Sequence, residues 1–317
     1  MLTVAVYLAI YAGLLIFFAG CLKRIIQYAN TPLHLRWELY PLPHEHPYRA
    51  AYGGSYFETL DWWRKPQVAF HRGDVLFLAE EVIFLKSLRD YNRKLWLASL
   101  LFHFGLYLAI VATVCAALIA ATGLFFASSG VVGIVSALAP LIKIAGILAA
   151  AFIIAGALWL LVHRMVDPGM KNSTHAGDIF NLLFFIVAFS LLIGGYLMRA
   201  PGTASLGEFA RGVVDFDRSL RFGPIFAVGA ILTAVLVAYI PFTHMAHFIA
   251  KYFTWHAVRW DDLRNDRGSA IEGKIAAALN YKPTWSAPHM GADGKRTWGE
   301  IAAINPTAVN PTEEKQK

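Results

Sequence analysis

The chain has 317 residues, 57% of them hydrophobic and 15% charged, with a formal charge of +7. A soluble domain carries about 25% charged residues, so this deficit, together with long apolar runs, excludes an ordinary globular domain and points to an all-α integral membrane protein. The basic residues gather in a few loops, as the positive-inside rule produces, and do not indicate a nucleic-acid partner.

Five apolar segments are long enough for a hydrocarbon core of about 30 Å, which takes about 20 helical residues. They run over 3–22, 95–123, 137–162, 179–198 and 224–250. In the first, Cys21 follows Ala19-Gly20, as at a lipoprotein cleavage site. No Lys or Arg precedes it, and Lys23 and Arg24 come directly after, so the segment reads as a span rather than a cleaved leader. The second cysteine is Cys115. No CxxC or CxxCH occurs, which argues against covalent c-type haem and a zinc ribbon. No run of cysteines fits an iron–sulfur cluster, so any cluster would belong to another subunit.

Charge sets the expected orientation. The stretch from Cys21 to Lys94 holds eleven Lys and Arg, the third-to-fourth loop holds Arg164 and Lys171, and the chain after Ala250 holds ten. The N-terminus and the loop near Ser128 hold none, and Arg199 to Arg221 holds four. An outside N-terminus, a long cytoplasmic loop over 23–94 and a cytoplasmic tail follow.

The long loop opens with Pro, Gly and aromatics. Trp37, Trp62 and Trp63 suit a surface at headgroup level. Its second half has Val75, Leu76, Leu78, Val82, Leu85 and Leu88 apolar with charge between, which predicts one amphipathic helix leading into the second span. The tail from Arg259 is polar and punctuated by Pro283, Pro288, Pro306 and Pro311. It reads as extended, with Tyr281, Trp285 and Trp298 for docking a partner. The expected division is a membrane domain over 1–258 and a tail over 259–317. No internal repeat appears, so a transporter built on inverted repeats is not indicated.

Of the eleven histidines, four fall in or at the ends of spans: His103, His163, His244 and His247. Polar groups in a bilayer are costly and usually functional. His103 lies eight residues past Leu95, about 12 Å inward, and His247 five residues before Tyr252, about 8 Å inward. The two spans run in opposite directions, so both imidazoles fall at similar depth in the cytoplasmic half. They suit the axial ligands of one b-type haem. Two separately hydrogen-bonded histidines that stabilise helix packing would give the same pattern. His44-Glu45-His46 supplies too few ligands for a metal site by itself.

LASLLFHFG, the HR-MVDPGMKNSTHAGDI loop and YIPFTHMAH together resemble the membrane cytochrome b family typified by the gamma subunit of respiratory nitrate reductase. The resemblance implies haem ligation by His103 in the family's F-H-x-G and by His247 in its P-F-S-x-x-x-H. It puts Arg164, His163 and His244 at basic positions suited to the haem propionates. The family's second haem would need histidines where this chain has Thr113 and Gly229, so one haem is expected. The long loop and tail are more similar to the related cytochromes b of sulfate-reducer complexes (the Dsr and Tmc type). That branch implies a cytoplasmic iron–sulfur subunit similar to the heterodisulfide reductase catalytic subunit, and further membrane or periplasmic cytochrome subunits. The function implied is a subunit of a quinone-linked oxidoreductase complex in a bacterial inner membrane, not catalytic alone, passing electrons between menaquinone or another quinone and that partner. A haem-free membrane anchor is the alternative.

Overall fold

The computed structural model describes residues 1–30, 45–52, 54, 56–65, 71–125, 133, 137–259, 266–287 and 291–304. Five helices are long and apolar enough to cross a membrane: Leu2–Ala29, Arg93–Phe125, Ala139–Val166, Ala176–Leu197 and Pro224–Phe242. They agree with the five predicted segments in order and kind, and they are taken below as the first to fifth spans. The chain divides into two compact units, one of residues 1–24 with 76–247, the other of residues 25–75 with 248–317.

In the first unit, small residues let backbones meet, the usual basis of helix packing in lipid. A Cβ on Gly156 of the third span would lie 2.7 Å from the Cα of Phe102, and one on Gly105 2.7 Å from the Ile153 nitrogen. The second and third spans therefore touch along the turn that carries His103. At the other end of the bundle, Val6, Tyr7, Tyr196, Phe222 and Phe226 form a buried cluster. Thr3 and Tyr7 donate to the carbonyls of Leu220 and Asp217 at 2.7 and 3.0 Å, which tie the fourth-to-fifth loop to the first span. That loop holds the helix Leu206–Asp215, started by a capping box between Ser205 and Glu208.

The fifth span is not the continuous helix expected over 224–250. Regular helix stops at Tyr239, a 3-10 turn covers Ile240–Phe242, Thr243 is extended, a second 3-10 turn covers His244–Ala246, and a new helix runs His247–Arg259. Pro241 is the cause. It has no N–H to give and its ring crowds the preceding turn, a cost of about 3 kcal/mol in a helix interior. Thr243 then restarts the chain by accepting from the Met245 N–H at 3.1 Å.

The amphipathic segment before the second span is two helices, His71–Phe84 and Lys86–Tyr91, not one. Leu85 between them is left-handed, at φ 51°. Buried Glu81 accepts from the N–H and hydroxyl of Ser87 at 2.8 and 2.9 Å, which starts the second helix. Trp96 and Tyr107 of the second span donate to the carbonyls of Phe84 and Val82 at 2.7 and 2.6 Å, satisfying the end of the first helix.

In the second unit, Glu45 is committed to structure: it is buried, accepts from the Tyr56 N–H at 2.7 Å and pairs with Arg49 at 3.6 Å. His44, its neighbour in the sequence motif, lies outside the described residues, as does Trp37. The tail is not extended over 266–304. It forms a helix Ala270–Leu279, an antiparallel pair of short strands Ser286–Ala287 and Ala292–Asp293, and a helix Trp298–Ala302. Ile271, Ala292 and Ile301 are buried, and Trp285 meets Trp298 edge-on at 5.6 Å. Ser269 and Thr297 cap the two helices by accepting from Glu272 and Glu300 N–H groups.

Candidate functional site

The second span and the break in the fifth bring His103 and His247 together. Their ring centroids lie 6.1 Å apart with planes at 67°. His103 is half-buried on a turn fixed by the Gly105 and Gly156 contacts. Its Nδ1 lies 2.7 Å from the Ser99 carbonyl, with the Ser99 hydroxyl 3.3 Å away. His247 opens the helix His247–Arg259, and its Nδ1 lies 3.2 Å from the His244 carbonyl. A carbonyl only accepts, so in both rings Nδ1 is the donor, and in the neutral ring Nε2 is then the nitrogen left for a metal. That is the tautomer a metal-ligating histidine needs, with its second nitrogen bonded to backbone.

A haem iron fits this pair. With metal–nitrogen bonds of about 2 Å and ring centres roughly 1 Å further on, two imidazoles on one metal have centroids about 6 Å apart. Among the described residues no group of three or more His, Cys, Asp or Glu could hold an ion. The chemistry available here is that of two opposed imidazoles.

The depth expected for His247 changes. It is not inside a continuous span; it follows the break, five residues beyond the span's last residue, Phe242. His103 and His247 still face one another because the two 3-10 turns carry His247 back against the second span.

The other predicted residues meet around one carboxylate. Asp178 has Arg164 Nη1 at 3.5 Å, His244 Nε2 at 3.3 Å and the His175 N–H at 3.0 Å. Arg164 also reaches the Thr174 hydroxyl, at 3.5 Å. His163 faces Asp167 instead, at 4.0 Å. Asp178 is placed by the fourth span, whose first turn it caps. Asn181, one turn on, is buried with Nδ2 3.4 Å from His244, and its Oδ1 has no hydrogen-bond partner. Sequence reasoning passed over Asp178 and Asn181 as site residues. A carboxylate and an amide three apart at the mouth of an apolar segment were the available signal.

The two positions at which the family's second haem would need histidines differ in their surroundings. Thr113 is exposed on the second span. A Cβ on Gly229 would lie 2.6 Å from the Leu191 carbonyl carbon and the Leu192 Cα, and one on Gly195 2.6 Å from the Phe226 Cα. The fourth and fifth spans pack backbone to backbone there, with no gap for a side chain of any size.

No curated protein and no solved structure matches the chain. The family described as nitrate reductase gamma subunit matches residues 88–261, which takes in the last four spans, both imidazoles and the Asp178 cluster. That family is a haem b-containing membrane subunit of multisubunit respiratory complexes. With five apolar helices and more than half its length matched, the chain belongs to the nitrate reductase gamma subunit family.

Proposed function

We propose that the chain holds one b-type haem between His103 and His247 and passes electrons between the membrane quinone pool and a cytoplasmic iron–sulfur subunit. The observation that carries this reading is the 6.1 Å opposition of two imidazoles whose Nδ1 atoms both face backbone carbonyls. A haem bound there supplies one-electron transfer at a potential set by ligands, hydrogen bonds and burial. The protein's part is to hold both rings and orient them through their Nδ1 bonds, with Phe102 of the packed cluster of Ile153, Leu182, Phe185 and Leu236 set edge-on against His103.

The excess of Lys and Arg in the first loop and tail supports a cytoplasmic His247 end and an outside N-terminus. A centre near that face suits exchange with a cluster docked beneath it and a quinone in the same half of the bilayer. A partner similar to the heterodisulfide reductase catalytic subunit, in a sulfate-reducer type of complex with other cytochrome subunits, accords with the long loop and tail, and a bacterial inner membrane with the family. The closed packing at Gly195 and Gly229 favours one haem over two. Pyridine haemochrome assay of purified protein should give one haem b per chain. His103→Ala and His247→Ala should each abolish the reduced alpha band. A haem-free wild type would leave a membrane anchor without redox function, and normal spectra in both variants would overturn His103 and His247 as the ligands.

A further inference from the structure

A haem brings two propionate carboxylates, and an anion at the end of a span needs a cation near it. The basic groups at the Asp178 cluster are already committed: Arg164 and His244 share Asp178, and His163 faces Asp167. Arg24 is not. It sits half-buried near the end of the first span, and its Nε donates to the Pro241 carbonyl at 3.0 Å. Among the described residues no carboxylate pairs with it. One turn earlier, a Cβ on Gly20 would lie 2.7 Å from the Pro241 ring, so the first span is pressed directly onto the break. A guanidinium has five N–H donors in a fork that matches a carboxylate. Only Nε is taken by Pro241. From Pro241 to His247 the chain runs mostly through 3-10 turns at about 2 Å per residue, so the two lie within about 12 Å.

We propose that Arg24 binds a propionate of the haem held by His103 and His247 and, through the Pro241 carbonyl, ties that carboxylate to the turn that delivers His247. This rests on the haem reading above. Arg24 is a binding and positioning residue. Its charge favours the reduced haem, which carries one more negative charge than the oxidised form.

The test uses full-length protein made without haem and loaded with either haem b or its dimethyl ester, whose propionates carry no charge. With haem b, Arg24→Gln should shift the ferric-to-ferrous ratio about tenfold toward ferric at fixed ambient potential, about 59 mV for one electron. Arg24→Lys should restore most of it. With the diester, wild type and R24Q should titrate alike. An unshifted R24Q with haem b, or an equal shift with both haems, overturns the proposal. If R24Q refuses haem b, its uptake of the diester decides. Acceptance supports a propionate contact, and refusal of both leaves Arg24 a structural clamp. Failure of wild type to take up haem b instead overturns the assignment of His103 and His247.

Discussion

Replacing Pro241 tests whether the break in the fifth span is what delivers His247 to His103. The six residues of the two turns, Ile240–Phe242 and His244–Ala246, are in 3-10 form. Such a helix turns about 120° and rises about 2.0 Å per residue, against about 100° and 1.5 Å in an α-helix. Regularising all six would rotate His247 by about 120° and move it about 3 Å along the axis, before the extended Thr243 is counted. Metal–ligand distances tolerate only about 0.2 Å, so the pair would be lost. Whether the helix regularises is a balance. Removing the proline relieves about 3 kcal/mol. Against this stand the Thr243 cap, about 1 kcal/mol, and the charged hydrogen bond from Arg24 to the Pro241 carbonyl, about 1.5–3 kcal/mol. Pro241→Ala alone should therefore lower haem content only partly, and the double variant with Thr243→Ala should lose most of it. Haem per chain and the low-spin signal of a bis-imidazole iron report this directly. An unchanged spectrum in the double variant would refute the argument that the break positions the ligand.

Gly229→Ala puts a methyl 2.6 Å from the Leu192 Cα, and overpacking of this kind costs about 1–3 kcal/mol. Its thermal unfolding in detergent should fall by several degrees, and an unmoved transition would contradict the close approach. Asp178→Asn should loosen the ends of the third and fourth spans, since Arg164 then loses its counter-charge; proteolysis between Asp167 and Ala176 should quicken, whereas Asp167→Asn should leave the fourth span's cap intact. The Glu300 carboxylate is held below its ordinary value of 4.5 chiefly by the Thr297 backbone N–H. A lowered folded-state value means its contribution is complete above that ordinary value and is lost as pH falls through the folded one. Trp fluorescence of the 266–304 region should thus be flat down to about pH 4.5 and change below it, and Glu300→Gln should remove the step.

The five spans were legible because hydropathy over some twenty residues averages out local detail. What was illegible is local. Apolar residues at helical spacing over 75–88 predicted one helix, yet Ser87 captures Glu81 and Leu85 turns left-handed. Proline counting made the tail look extended. The better signals were Ser269 with Glu272 and Thr297 with Glu300, each a polar cap three residues before an acidic one, the signature of a helix start. Pro241 is visible in the sequence, but the apolar run continues past it to Ala250 and masks the break it makes in the helix.

The site was legible in its residue types and not in its partners. His103 and His247 were picked out because imidazoles are costly in lipid, and that cost is independent of where the helix breaks. The sequence offers Arg164 and His244 as basic groups suited to haem propionates; that one carboxylate, Asp178, starts the fourth span and also faces both of them is visible only in the fold. Arg24 was one of eleven Lys and Arg in a charge count. Counting charges sets orientation and hides which charge is unanswered. Only the packing of Gly20 against Pro241 separates Arg24 from the rest, and that contact spans residues more than two hundred apart in the chain. The same holds at Gly229. As a letter in the sequence it is only a missing histidine, but in the bundle it is the point where the backbones of the fourth and fifth spans meet, so the same glycine that removes a ligand also closes the space a side chain would need.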